Sequence, residues 1–85
     1  MPTVSRFFGI VVFLNYRDHA PPHFHARYGE DEVTVEIYGG AVTGKMSRRA
    51  LRLVLEWASL HEDELMRNWD LARASKPLEQ IDPLT

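Results

Sequence analysis

Three of the four histidines in this chain fall within eight residues, 18–25, which read DHAPPHFH. Imidazole is the side chain whose ordinary charge change lies closest to neutral pH, and it is the commonest nitrogen ligand for metals. A carboxylate among three imidazoles therefore raises two chemistries, proton transfer and metal ligation. His23 and His25 are two residues apart, and on an extended segment residues i and i+2 point the same way. Catalytic zinc takes three protein ligands and keeps a fourth position open, and non-haem iron takes two histidines and a carboxylate. Glu36, expected across a hairpin from the histidines, or Asp18 would complete either set. His23, His25 and Glu36 are thus the candidate ligands for a divalent metal. The spacing permits such a site without requiring it: two half-exposed strand histidines bonded to Glu36 and Thr34 would account for the same residues.

Asp18 and His19 form a second candidate device. A carboxylate beside an imidazole fixes its tautomer and strengthens it as a general base. Neighbours in a loop rarely face one another, however, and Asp-His-x-Pro-Pro suits an Asx-type turn. Asp18 is expected to close that turn, which leaves His19 open as an acid or base. His61 lies on an apolar stripe between Ala58 and Leu65, where a lone histidine is ordinarily a packed, hydrogen-bonded core group. It would join the others only if its helix crossed the hairpin on their side. His19, His23, His25 and His61 with Arg27 are the candidate catalytic residues for RNase-like chemistry. That chemistry needs two titratable groups flanking one phosphate and a cation to stabilise developing charge. Lys45, Arg48, Arg49 and Arg52 concentrate positive charge where a helix should begin, against its dipole. An external anion or an acidic partner would offset that cost; a solvated face with an Arg52–Glu56 pair is the plainer reading.

The elements that must position these residues follow from periodicity. FFGIVVFLNY (7–16) is β-branched and aromatic with apolar residues on both faces, which predicts one strand covered on both sides. RDHAPP interrupts it, because Pro21 and Pro22 cannot donate ladder hydrogen bonds. HFHARY (23–28) alternates, with Phe24, Ala26 and Tyr28 on one face and His23, His25 and Arg27 on the other. EVTVEIY (32–38) alternates in the complementary sense. A two-residue Gly29-Glu30 turn opposes Phe24 with Val35 and His23 with Glu36, and parity keeps Glu36 on the face of the histidines in any register. Gly39-Gly40 predicts a second turn into a short strand near 41–44. From a Ser47 N-cap, the stripe Leu51, Val54, Leu55, Ala58, His61, Leu65, Trp69 and Ala72 predicts one helix of about seven turns, reaching Ser75. Asp63 and Arg67 support it as an i,i+4 pair, and Trp57 and Trp69 read as packing residues. Pro77 ends it, and Ile81 and Leu84 are placed to dock as an extended tail. The expected fold class is α+β: a small antiparallel β-meander of about four strands packed against one long C-terminal helix.

Composition bounds the rest. The 85 residues predict a single domain, 1–85, and a hydrophobic content of 45% suffices for one core. With no cysteine there is no disulfide framework and no thiolate site. A net charge of −2 argues against a polycation built for nucleic acid. The apolar run 7–14 is far short of the roughly 20 residues that cross a bilayer, and no signal peptide is visible, so a soluble cytoplasmic protein is expected.

The segments NYRDHAPPHFHARY, RALRLVLEWASLHEDELMRNWDLA and IDPL together resemble a small bacterial family known as a domain of unknown function and marked by D-H-x-P-P-H-F-H. The resemblance covers nearly the whole chain. Its motif positions here are Asp18, His19, Pro21, Pro22, His23, Phe24, His25, Glu56, Trp57, His61, Asn68 and Trp69. It implies a bacterial origin and a stand-alone protein encoded beside another small domain, in gene pairs of toxin–antitoxin type. It supplies no catalytic residues. The expected function is accordingly an interaction component of a two-protein system, bound to a small protein partner or to a second copy. The alternative is RNase-like or metal-binding activity on the His23/His25/Glu36 face.

Overall fold

The apolar segment 7–16 turns back on itself. In a computed structural model, which describes residues 2–85, Phe8 and Gly9 adopt φ of +48° and +80°. Two positive φ values in a two-residue loop match the twist of the strands they join. The φ at position 9 favours glycine, and a Cβ there would also lie 3.3 Å from the Tyr28 ring, a tight contact. The expected single strand is therefore two, β1 (Thr3–Phe7) and β2 (Ile10–Phe13), and the sheet has five strands where about four were expected. They continue as β3 (His23–Tyr28), β4 (Asp31–Glu36) and β5 (Val42–Gly44), in the order β1-β2-β3-β4-β5, all antiparallel.

The β3–β4 register pairs His23 with Glu36 and Phe24 with Val35, as the two-residue Gly29-Glu30 turn requires. Past Glu36 the Ile37 N–H still donates to the Pro22 carbonyl (3.0 Å) in the same register, but Pro22 has no N–H to return, and the regular ladder ends there. Strand parity then sorts the side chains. Ile10, Val12, Phe24, Ala26, Val33 and Val35 form the buried face that packs with the helices. Phe13 is buried on the opposite face, outside that core, under the stacked His25 ring at 5.0 Å and the Arg27 guanidinium at 5.1 Å. This second cover explains why the segment reads as apolar on both faces.

The expected long helix is also two. Helix α1 (Arg48–Leu60) is capped by Ser47, whose hydroxyl accepts the Ala50 N–H at 3.2 Å. Helix α2 (Glu62–Arg73) follows after a single non-helical residue, His61, at φ −130° and ψ 28°. No glycine or proline makes the break. The residues after it suit a new helix start: Glu62, Asp63 and Glu64 fill the first turn of α2, where carboxylates are favoured by the helix dipole. The apolar stripe continues across the break, so Val54, Trp57, Leu65 and Trp69 all reach one core.

Trp57 is fully buried and contacts the rings of Phe7 and Phe24 at 5.3 and 6.0 Å. Its indole N–H donates to the Asp82 carbonyl at 2.8 Å, which draws in the tail beyond Pro77. That tail docks extended along β1. The Ile81 N–H donates to the Val4 carbonyl and the Gln80 side-chain amide to the Thr3 carbonyl, each at 2.8 Å. Asn68, buried on α2, donates to the Glu79 carbonyl at 2.9 Å and accepts the Glu79 N–H at 2.8 Å. No helix among the described residues is long and apolar enough to cross a membrane.

Asn68→Ala removes both arms of this clamp at a buried position, and is expected to cost about 1–3 kcal/mol in chemical denaturation. Hydrogen exchange should show the Glu79 and Ile81 amides losing protection ahead of the sheet; unchanged protection at both would show that the clamp does not hold the tail.

Candidate functional site

Parity directs His25 and Arg27 of β3, with Glu32, Thr34 and Glu36 of β4, to the face opposite Phe24, Val33 and Val35; His23 shares their parity but, at the start of β3, also reaches Trp69 of α2. Nothing in the strands themselves closes that face. The connection from β2 to β3 does so, because its prolines cannot join the ladder and the chain loops out and returns over the start of β3. Arg17, at φ +55°, pins the loop to the end of α2: its N–H donates to the Ala72 carbonyl at 3.2 Å and its Nε to the Ser75 hydroxyl at 3.0 Å. The next residue, Asp18, is thereby turned inward over β3.

Three imidazoles meet this one carboxylate. Asp18 Oδ1 accepts the backbone N–H of His19 at 2.9 Å and lies 2.8 Å from His19 Nδ1. Asp18 Oδ2 lies 2.8 Å from His23 Nε2 and 3.3 Å from His25 Nε2. Burial opposes the charge on Asp18, but the backbone N–H of His19 and the side chains of His19, His25 and His23 outweigh it. The carboxyl is held well below the usual carboxylate range.

Each histidine has a different second partner. His23 is buried, with Trp69 of α2 at 5.1 Å, and its Nδ1 donates to the Pro21 carbonyl at 2.8 Å. His25 Nδ1 lies 3.5 Å from both Glu32 Oε2 and Thr34 Oγ1, and the Asn15 amide nitrogen is 3.3 Å from its Nε2. The His19 ring stands at the rim, 91% exposed. Beside these groups lies a cavity of about 460 Å³, lined among others by Asp18, His19, His25, Thr34, Glu36 and Thr43.

The candidates read from the sequence thus take distinct places. Asp18 and His19 do face each other, although adjacent loop residues rarely do, because the backbone and ring N–H groups of His19 converge on the same oxygen. Glu36 lines the cavity opposite His23, yet the carboxylate that converges with His23 and His25 belongs to Asp18. His61 sits with the helices, its ring 5.4 Å from Trp57 and its Nδ1 2.6 Å from Glu64 Oε1, and so belongs to the helix layer and not to the Asp18 cluster. Arg27 pairs with Glu32 at 3.1 Å and covers Phe13. Lys45, Arg48, Arg49 and Arg52 are exposed around the start of α1 and do not line the cavity. Sequence reasoning missed the lining by Asn15 and Thr43. Thr43 could have been found from parity, since it pairs with Thr34; nothing local marks Asn15.

Residues 9–70 match the family described as Domain of unknown function (DUF4160), and the chain belongs to it. No curated protein and no solved structure matches the chain. The matched span contains the whole cavity and stops short of β1 and the tail that covers it.

A carboxylate held below its unfolded-state pKa contributes stability that is complete above the unfolded value, about 4, and is lost as pH falls through the folded value. In chelator-treated protein, the stability difference between wild type and Asp18→Asn should therefore be largest at pH 5–7 and shrink towards pH 2. Urea midpoints across that range measure it. A difference that stays constant or grows on acidification would contradict the account of Asp18.

Proposed function

We propose that this protein is a small bond-cleaving enzyme of the hydrolytic or RNase-like kind, acting in the open-face cavity with His19 as its proton-transferring group. The observation that carries this reading is the Asp18–His19 pair at the cavity rim. A carboxylate only accepts, so the 2.8 Å contact with Asp18 Oδ1 makes His19 Nδ1 the donor of the neutral ring. Nε2 is then the basic nitrogen, on a ring that is almost fully exposed beside the cavity. In this role His19 takes a proton from the attacking water or hydroxyl and returns it to the leaving group, while Asp18 orients the ring. His23 and His25 are too enclosed for that exchange and belong to the wall.

The test uses a fluorophore–quencher RNA oligonucleotide and bis(4-nitrophenyl) phosphate as probes. Purified protein should cleave at least one above the buffer rate, and His19→Gln should lower the rate about 100-fold or more. Its fold should be retained by circular dichroism with at most a small fall in thermal midpoint, since the ring is exposed and Gln keeps a side-chain donor for Asp18. Cleavage of neither probe, or full activity in His19→Gln, would sink the reading.

We also propose a protein partner, as in a toxin–antitoxin-like pair, and here a separate observation gives support. Strand β5 ends the sheet with all three of its residues exposed, whereas the tail lies along β1 at the other end. An uncovered edge strand is a template for pairing with another chain. It leads directly to Lys45, Arg48, Arg49 and Arg52, and the first turn of α1 carries no acidic residue. An acidic segment laid along β5 fits both features. Co-expressed with the product of the adjacent gene, the chain should co-purify at low salt. Arg48→Glu with Arg49→Glu should weaken that complex about tenfold or more in titration calorimetry; equal affinity would place the contact elsewhere.

A further inference from the structure

We infer that Asp18, His23 and His25 form a binding site for one divalent transition metal, of the zinc or ferrous iron class. The site lies in the cavity just described, but the inference rests on ligand geometry alone and does not depend on His19 transferring a proton.

The first argument is convergence. Asp18 Oδ2, His23 Nε2 and His25 Nε2 all lie within 4.8 Å of one another, and the two contacts to the oxygen are 2.8 and 3.3 Å. Metal bonds of about 2.0–2.2 Å, meeting at tetrahedral or octahedral angles, place neighbouring ligand atoms about 2.8–3.6 Å apart. Both contacts to the oxygen fall in that range, and the third spacing is bounded at 4.8 Å, so a small closing of the two imidazoles completes the set.

Hydrogen-bond logic supplies the second, independent argument. Both nitrogens of His23 face groups that accept: the Pro21 carbonyl at 2.8 Å and the Asp18 carboxylate at 2.8 Å. With hydrogen bonds alone, this buried ring must donate from both sides. His25 Nε2 lies 3.3 Å from the same carboxylate oxygen and 3.3 Å from the Asn15 amide nitrogen, a donor toward which it presents its lone pair. A cation between the three atoms lets both Nε2 lone pairs and the oxygen face positive charge. It leaves each Nδ1 as the donor, which is the arrangement metal-bound histidines ordinarily adopt.

Third, every ligand has an outer partner. His23 is fixed by the Pro21 carbonyl, and His25 Nδ1 is flanked by Glu32 and Thr34. The second oxygen of Asp18 is held by the two His19 N–H groups. The side chains are only 8%, 13% and 16% exposed, so the atoms are preorganised, and the cavity leaves coordination positions for water or substrate. Two imidazoles and one carboxylate suit zinc or iron, while magnesium and calcium prefer all-oxygen sets. A cation also supplies what the cavity lacks, since no lysine or arginine is among the described residues that line it.

The experiment titrates untagged, chelator-dialysed protein with Zn²⁺, Co²⁺ and Mg²⁺ by calorimetry, and follows Co²⁺ by its visible absorption. The expected result is one Zn²⁺ or Co²⁺ per chain at micromolar or tighter affinity, a raised thermal midpoint, and no saturable Mg²⁺ binding. His25→Ala and Asp18→Ala should each weaken Zn²⁺ binding about 100-fold or more, beyond what loss of an outer partner does. His61→Ala and Glu36→Gln should stay within about threefold of wild type. Because His23→Ala removes a buried ring, His25→Ala carries the decision, with circular dichroism confirming its fold. No Zn²⁺ or Co²⁺ binding, binding that survives His25→Ala, or binding lost with His61→Ala would each overturn the site. Metal binding without probe cleavage would sustain it while removing the proposed activity.

Discussion

The Asp18 carboxylate is the group on which the open face is organised. Drawing a carboxylate out of water is costly unless donors replace the lost hydration. Here a backbone N–H and three imidazoles do so, and they come from two different parts of the chain. The contacts to His19 are local and set the loop's shape. Those to His23 and His25 tie that loop to β3. With Arg17 anchored on α2, the connection between β2 and β3 is held at both ends of its turn, although it contains no regular structure of its own.

The sheet acts as a partition. Side chains that alternate along β3 and β4 are sent either to the helix layer or to the cavity, with His23 at the strand start reaching both. This is why His61, on the same apolar stripe as Trp57 and Leu65, ends beside Glu64 and never meets His25. It is also why Phe13 requires a separate cover. Pointing away from the main core, it is shielded by the ring of His25 and the guanidinium of Arg27. The polar face thus has its own small apolar anchor, which restrains His25 from behind.

What was legible in the sequence was whatever repeats with a period. Alternation in 23–28 and 32–38 gave the hairpin, its register and the shared face of His23, His25 and Glu36. The stripe through Val54, Trp57, Leu65 and Trp69 gave the helix layer, and Ile81 gave the docked tail. What stayed hidden was where periods end. An apolar run with residues on both faces conceals a tight turn, because Phe8 with positive φ carries no sign of it beyond the glycine that follows. The break at His61 is masked by a stripe that runs straight through, and only the acidic triplet after it marks a new helix start. Asp18 was read both for the turn it could make and as an alternative to Glu36 beside His23 and His25, and spacing alone does not say how far a loop folds back to decide between them.

The two ends of the sheet differ in a way that bears on assembly. The tail lies on β1 through the Val4 and Thr3 carbonyls, while β5 is bare. A sheet with two bare edges can be joined at both and so grow without limit into a fibre. A sheet with one has a valence of one for edge-to-edge pairing. A second copy paired through β5 leaves no bare edge, so the series ends at two chains, and the docked tail around Gln80 and Ile81 is what imposes that ceiling.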